Sequence, residues 1–304
     1  MRFVLALGLL LLAVPVAFGA SVRSARAPAP VSALAMDGRL VAYASGRSAS
    51  DCDRVQIWNL ATHGVTTLGR TTSCEETSTG SGIAALSLAG GRVLWLHYTG
   101  GNIREWSLFT ATPTRRAPRR LAFVTRDVDA SAPIVLGAGD ASRLGDILPY
   151  ALDRTVIALR ASGARGFAWT APTRVTALGA LDGELAVAST GGLVTILDAA
   201  GRVLRTETFA GEVQVVRITG NGVLVQRGRT LELRGPGELR TWLLPARALL
   251  EDSTADAAYY VTRGQIRELR LDAVNRQLQL ALGSHVQTEG PKLATSSGRR
   301  VTVR

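Results

Sequence analysis

After residue 30 the chain is built from short runs of alternating apolar and polar residues, separated by glycine-containing turns. The clearest copy covers residues 175–198, VTALGALDGELAVASTGGLVTILD. Val175, Ala177 and Leu178 open a first run, and Asp182-Gly183 turns the chain. Leu185, Val187 and Ser189 form a second run, and Gly191-Gly192 leads into a third through Val194 and Ile196. Alternation with a period of two marks a strand with one buried face. Asp-Gly between two such runs is a strong hairpin signal, because both residues tolerate positive φ.

The same arrangement repeats. The first unit predicts strands over residues 32–36, 40–45, 54–60 and 65–68, turning at Asp37-Gly38, with a longer loop over 46–53. The second turns at Gly90-Gly91, and the fifth at Asn221-Gly222. In the third unit Pro149 interrupts a strand-like run, which predicts a bulge or an early sheet edge there. First strands fall near residues 32, 83, 133, 174, 213, 248 and 291, in steps of roughly 35–51 residues, the period of a propeller blade. No window of the mature chain keeps a 3.6-residue period over ~12 residues, so helix-pair repeats are excluded. The expectation is an all-β, single-domain β-propeller of four-stranded blades over residues 31–304. Seven blades are predicted, the last being half a unit after His285; six or eight would require moving one boundary. Residues 20–30 read as a flexible tether, because Pro28 and Pro30 make a poor closing strand.

Some of these residues resemble a known group. MDGRLVAYAS with RVQIWNL, and TILDAAGRVLRTE, look like blades of WD-repeat-like and TolB-type propellers, and are also similar to quinoprotein-like blades. The resemblance covers residues 31–304 and implies a fold, with no functional residue to carry over. Blades here lack a Gly-His start, and Trp58-Asn59 is the nearest match to a terminal Trp-Asp pair.

The N-terminus adds a location. Arg2 precedes an uncharged apolar run over residues 3–18 that ends in small residues, the layout of a secretory signal peptide over residues 1–19. As a helix the run spans only ~24 Å, short of the ~30 Å hydrocarbon core. Cleavage after Gly19 releases the chain. Retention would leave an anchor, and the membrane is a partner only in that case. The expected location is therefore secreted or extracytoplasmic, at the cell envelope. In an oxidising compartment the only two cysteines, Cys52 and Cys74, are expected to form a disulfide. Closing a loop of that size contributes ~3 kcal/mol. By this reading Cys52 sits in a second-to-third-strand loop and Cys74 in a link between blades, which emerge on the same propeller face.

The 304 residues are 46% apolar and 19% charged, with a formal charge of +11. All the basic residues but Lys292 are arginine, and their scatter along the chain argues against nucleic acid. Candidate chemistry is sparse. Asp51, Asp53, Glu75 and Glu76 flank the cysteines and form a candidate binding rim; their spacing matches no calcium loop. Asp127, Asp129 and Ser131 begin like an EF-hand loop but lack its glycine and its last acid. The run 137–140 precedes no helix and cannot cradle a phosphate in the usual way. His63, His97 and His285 fall in different units, which argues against a metal site, and no nucleophile elbow is present. Trp58, Trp95, Trp106, Trp169 and Trp242 lie within predicted strands as packing residues.

No cofactor, metal or catalytic residue is assigned. The expected function is a monomeric, non-catalytic module that binds a protein or envelope ligand. The alternative is an exported hydrolase or lyase with its site at the channel mouth. Acids and a histidine converging there would favour the enzyme, and an apolar or arginine-lined plug the scaffold. A third reading, a polyanion binder, predicts salt-sensitive retention on anionic resin.

Overall fold

The computed structural model describes residues 22–45, 54–69, 80–127, 132–137, 146–181, 183–271, 276–289 and 292–304. Residues 1–19, expected to be a signal segment, lie outside them. The described residues form 28 strands and no α-helix. A short strand, β1 (Arg23–Arg26), comes first. Blade 1 is β2 (Val31–Asp37), β3 (Leu40–Ser45), β4 (Arg54–Asn59) and β5 (Val65–Leu68). Blade 2 is β6 (Ser81–Ala89), β7 (Arg92–Gly100), β8 (Ile103–Ala111) and β9 (Arg119–Asp127). Blade 3 is β10 (Ile134–Leu136), β11 (Ile147–Leu152), β12 (Thr155–Arg160) and β13 (Arg165–Thr170). Blade 4 is β14 (Val175–Leu181), β15 (Glu184–Ser189), β16 (Leu193–Asp198) and β17 (Val203–Thr208). Blade 5 is β18 (Val215–Thr219), β19 (Gly222–Arg227), β20 (Thr230–Gly235) and β21 (Glu238–Leu243). Blade 6 is β22 (Leu249–Ser253), β23 (Ala257–Thr262), β24 (Gln265–Arg270) and β25 (Gln277–Leu282). Blade 7 is β26 (His285–Glu289), β27 (Lys292–Ser297) and β28 (Arg300–Val303), completed by β1.

All pairings are antiparallel, and the first strand of each blade neighbours the first strand of the next. Following β2, β6, β10, β14, β18, β22 and β26 returns to β2, so the sheets close into a seven-bladed β-propeller. Links between blades and second-to-third-strand loops emerge on one side, the link face. First-to-second and third-to-fourth turns emerge on the other, the hairpin face.

Three expectations need correction. Residues 20–30 are not a tether throughout, because Arg23–Arg26 pairs with β28 in the register Arg23↔Val303 to Arg26↔Arg300. The prolines that argued against this, Pro28 and Pro30, fall beyond the strand, where no ladder donor is needed. Ala27 and Val31 donate to Arg299 and Gly298 carbonyls at 2.7 and 2.9 Å and hold the crossing into blade 1. Blade 7 is accordingly complete, and its inner strand begins at His285 rather than near residue 291. The third correction is one residue wide. Thr219 pairs Gly222, so the fifth-blade turn is Gly220-Asn221.

Pro149 sits inside β11, opposite Ala158. Its carbonyl accepts the Gly137 N–H at 3.3 Å, so its donorless nitrogen faces the side where β10 has already ended at Leu136. The shortened ladder is the early edge that proline imposes. In blade 2 the pair Ala89↔Arg92 leaves Gly90-Gly91 as a two-residue turn, both at positive φ. There Gly90 N–H donates to Asp37 Oδ2 at 2.6 Å and joins blade 2 to blade 1.

The core lies between blades. Apolar clusters bridge blades 1 and 2, 2 and 3, 3 and 4, 4 and 5, 5 and 6, and 7 and 1. Four of the five tryptophans are buried in the strands that form these seams: Trp58, Trp95, Trp106 and Trp242. Between blades 6 and 7 the seam holds a buried polar contact. Asp252, fully buried, accepts Thr288 N–H at 2.6 Å, Thr288 Oγ1–H at 2.7 Å and Ser253 N–H at 2.8 Å.

Candidate functional site

The candidate residues Asp51, Cys52, Asp53, Cys74, Glu75 and Glu76 lie outside the described residues, and so does the expected disulfide. The strands that carry their loops are described. Ser45 pairs Arg54, and the next rung joins Ala44, Val55 and Leu68, so both loops leave the same end of blade 1 on the link face. Asp127 ends β9 and is exposed, while Asp129, Ser131 and Asp140 lie outside the described residues. His63 occupies a turn at φ 59° and His97 is buried in β7. His285, expected in a link, instead starts the inner strand of blade 7.

On that same link face the inner strands begin with a shared irregularity. The ladders of β2, β6, β14 and β22 each skip one residue: Ser32, Ala84, Thr176 and Glu251. In blade 5 Gln214 N–H donates to Gln226, which already pairs Val215. In blade 7 Ser284 N–H donates to Ser296, which already pairs His285. A bulge at the start of a strand turns a side chain out of the pleat and is a common device beside binding sites. Here it aims successive side chains into the channel mouth. Ser32, Ala84, Thr176, Gln214, Glu251 and His285 line one cavity of about 310 Å³, to which all seven inner strands contribute.

The rest of the lining is mainly alanine, valine and leucine. Arg217, 4% exposed, spends its guanidinium across three blades. It donates to the Leu178, Val216 and Glu251 carbonyls at 3.4, 2.8 and 2.7 Å. Beside it, His285 Nδ1 lies 3.4 Å from Glu251 Oε2, both side chains remaining partly accessible. Gln287, two residues along β26, is buried with its Oε1 lacking a hydrogen-bond partner among the described residues. The mouth therefore offers one imidazole–carboxylate pair and two amides, Gln214 and Gln287, set in an apolar ring. It can orient a ligand that carries both an apolar body and a polar end. Among the described residues no three His, Cys, Asp or Glu side chains come together as metal ligands.

Sequence reasoning missed Glu251, His285 and Gln287 as a group. The available signal was a polar residue at the start of a first strand, in LLEDS and HVQTE, which becomes readable once the blade boundary is placed at 285.

No protein-family model matches the chain, and no curated protein does. Solved structures do. A chain of the mitotic checkpoint complex aligns over 99% of this chain and 98% of its own length, with 13% identity and a TM-score of 0.57. A computationally designed protein, Ika8, aligns over 91% and 96%, with 13% identity and a TM-score of 0.48. The shared fold is the seven-bladed β-propeller. At this identity the likeness concerns the path of the backbone, and the site must be argued from its own residues.

Proposed function

We propose that this chain is an exported, non-catalytic propeller that binds a protein or small ligand over the mouth on its link face, at the cell envelope or outside the cell. Export rests on the signal-like residues 1–19. The observation that carries the binding reading is the ring of bulged inner strands, which directs side chains from six blades into one largely apolar mouth. A rigid scaffold whose loops converge beside such a mouth is suited to recognition. That solved propellers include a component of the mitotic checkpoint complex is consistent with an interaction role.

One observation favours the enzyme alternative: the Glu251–His285 pair faces the same cavity. Both readings meet one experiment. The mature chain is used to capture partners and small molecules from its own envelope extract, alongside Ser32→Arg and Glu251→Gln variants. Ser32 is exposed at the mouth, so an arginine there blocks entry without disturbing the core. Binding lost in Ser32→Arg, with no captured molecule consumed by wild type, supports the binding module. Consumption of a captured molecule by wild type, abolished in Glu251→Gln, overturns it in favour of an enzyme.

A further inference from the structure

A second surface lies on the opposite, hairpin face, at the seam between blades 7 and 1. A groove of about 450 Å³ is lined there by Arg23, Arg39, Lys292 and Arg304, with Leu60 and Val303 beneath them. Four separate pieces of backbone bring these cations together: the start of β1, the β2–β3 turn, the start of β27 and the end of β28. Two of them also hold the seam. Lys292 Nζ donates to the Gly38 carbonyl at 2.6 Å, and Arg23 Nη1 donates to the Leu60 carbonyl. These partners are neutral. Among the described residues none of the four cations is paired with a carboxylate. The nearby acid, Glu289, accepts the Gly38 N–H. Arg39 and Arg304 are exposed.

The groove belongs to a blade of one sign. At this end blade 7 supplies Arg23, Lys292 and Arg304 against the single acid Glu289, while Arg26, Arg299 and Arg300 lie at its link-face end. Such a cluster focuses positive potential in a concave, partly apolar seam, where a negative partner is attracted and held. The shape selects among anions. A lipid surface is flat and cannot enter an inter-blade groove, and the lining has no aromatic ring on which a nucleobase could stack.

We propose that this groove binds an extended acidic peptide segment of a partner protein, its carboxylates on Arg39 and Arg304 and its apolar side chains over Leu60 and Val303. The surface is separate from the channel mouth, and the proposal stands or falls without it.

The test uses fluorescence anisotropy with a labelled peptide of glutamates interspersed with leucine, its glutamine counterpart, and phosphatidylserine vesicles. Three proteins are compared at low and moderate salt. These are wild type, Arg39→Glu/Arg304→Glu, and Arg115→Glu/Arg116→Glu, whose charges sit in the β8–β9 turn on the same face. Binding of the glutamate peptide to wild type, weakened about tenfold or more in the groove variant and under about twofold in the blade 2 variant, supports the proposal. Ser32→Arg should leave that binding unchanged. Equal weakening in both charge variants would show attraction to net charge alone and overturns it. Absence of peptide binding also overturns it, as does vesicle binding that needs Arg39 and Arg304 when the peptide does not bind. Thermal unfolding of the groove variant, expected to match wild type because both positions are exposed, excludes misfolding as the cause.

Discussion

At the scale of single residues, burial and hydrogen bonding decide more than residue type. Tyr43 is fully buried in the seam between blades 7 and 1, and its hydroxyl has no hydrogen-bond partner among the described residues. Burial pushes its phenol up to about 12. Tyr259 is pushed up to about 12 as well, first by burial and then by Glu268. A raised folded-state value means that the native chain keeps its proton after the unfolded chain has lost it. Stability is then fully present below the unfolded value of 10.0 and falls as pH rises toward about 12. We expect unfolding free energy to decline over that window. Tyr43→Phe should remove part of the decline and be neutral or stabilising by up to ~1 kcal/mol near pH 7, since it deletes a hydroxyl with no hydrogen-bond partner among the described residues. Urea titrations at stepped pH check both; a Tyr43→Phe curve parallel to wild type would refute the assignment.

At the scale of elements, the strands were largely legible and the ends were not. The predicted second and fourth strands of blade 1 match β3 and β5, because alternation over four to six residues leaves little freedom in register. Closure was harder to read, because RSAR in β1 has almost no apolar signal of its own. It becomes a strand only because β28 offers it a ladder and Ala25 packs against the seam. The stability of β1 is therefore tertiary, and its removal should be felt by the whole ring. A chain that begins at Ala27 should lose about 3 kcal/mol, given four ladder pairs at the usual ~0.5–1.5 kcal/mol per hydrogen bond. Its unfolding transition should also broaden, which calorimetry would detect. A transition as sharp and as high as wild type would mean that blade 7 stands on three strands. The candidate site was illegible for a related reason. Bulges such as the one at Glu251 depend on how the first strand meets its neighbour in space, and alternation along one strand does not report that.

At the scale of the whole molecule, the ring is a chain of seams in series, and its weakest seam sets how it opens. Six seams hold apolar clusters, and between blades 6 and 7 a buried carboxylate, Asp252, is bonded to Thr288. Apolar burial tolerates small displacements. A buried carboxylate satisfied by directed donors does not, because each lost bond leaves a desolvated group behind. This seam should thus be specific in register and abrupt in failure. Asp252→Ala removes the acceptor of both the Thr288 N–H and its hydroxyl and should cost about 3 kcal/mol, against about 1 kcal/mol for Thr288→Val, which keeps the bond from the Thr288 N–H to Asp252. Hydrogen exchange gives the decisive reading. In wild type, amides of β22 and β26 should open at lower free energy than those of β14 and β18, whose blades share an apolar seam. In Asp252→Ala the gap should widen while β14 and β18 keep their protection. Uniform loss of protection around the ring would instead mean that the blades open together and that no seam is privileged. The consequence reaches function, because Glu251, His285 and Gln287 all lie on β22 and β26. Their part of the channel mouth sits on a seam held by a buried carboxylate and its hydrogen bonds, so loosening it should disturb binding at the mouth before it unfolds the protein.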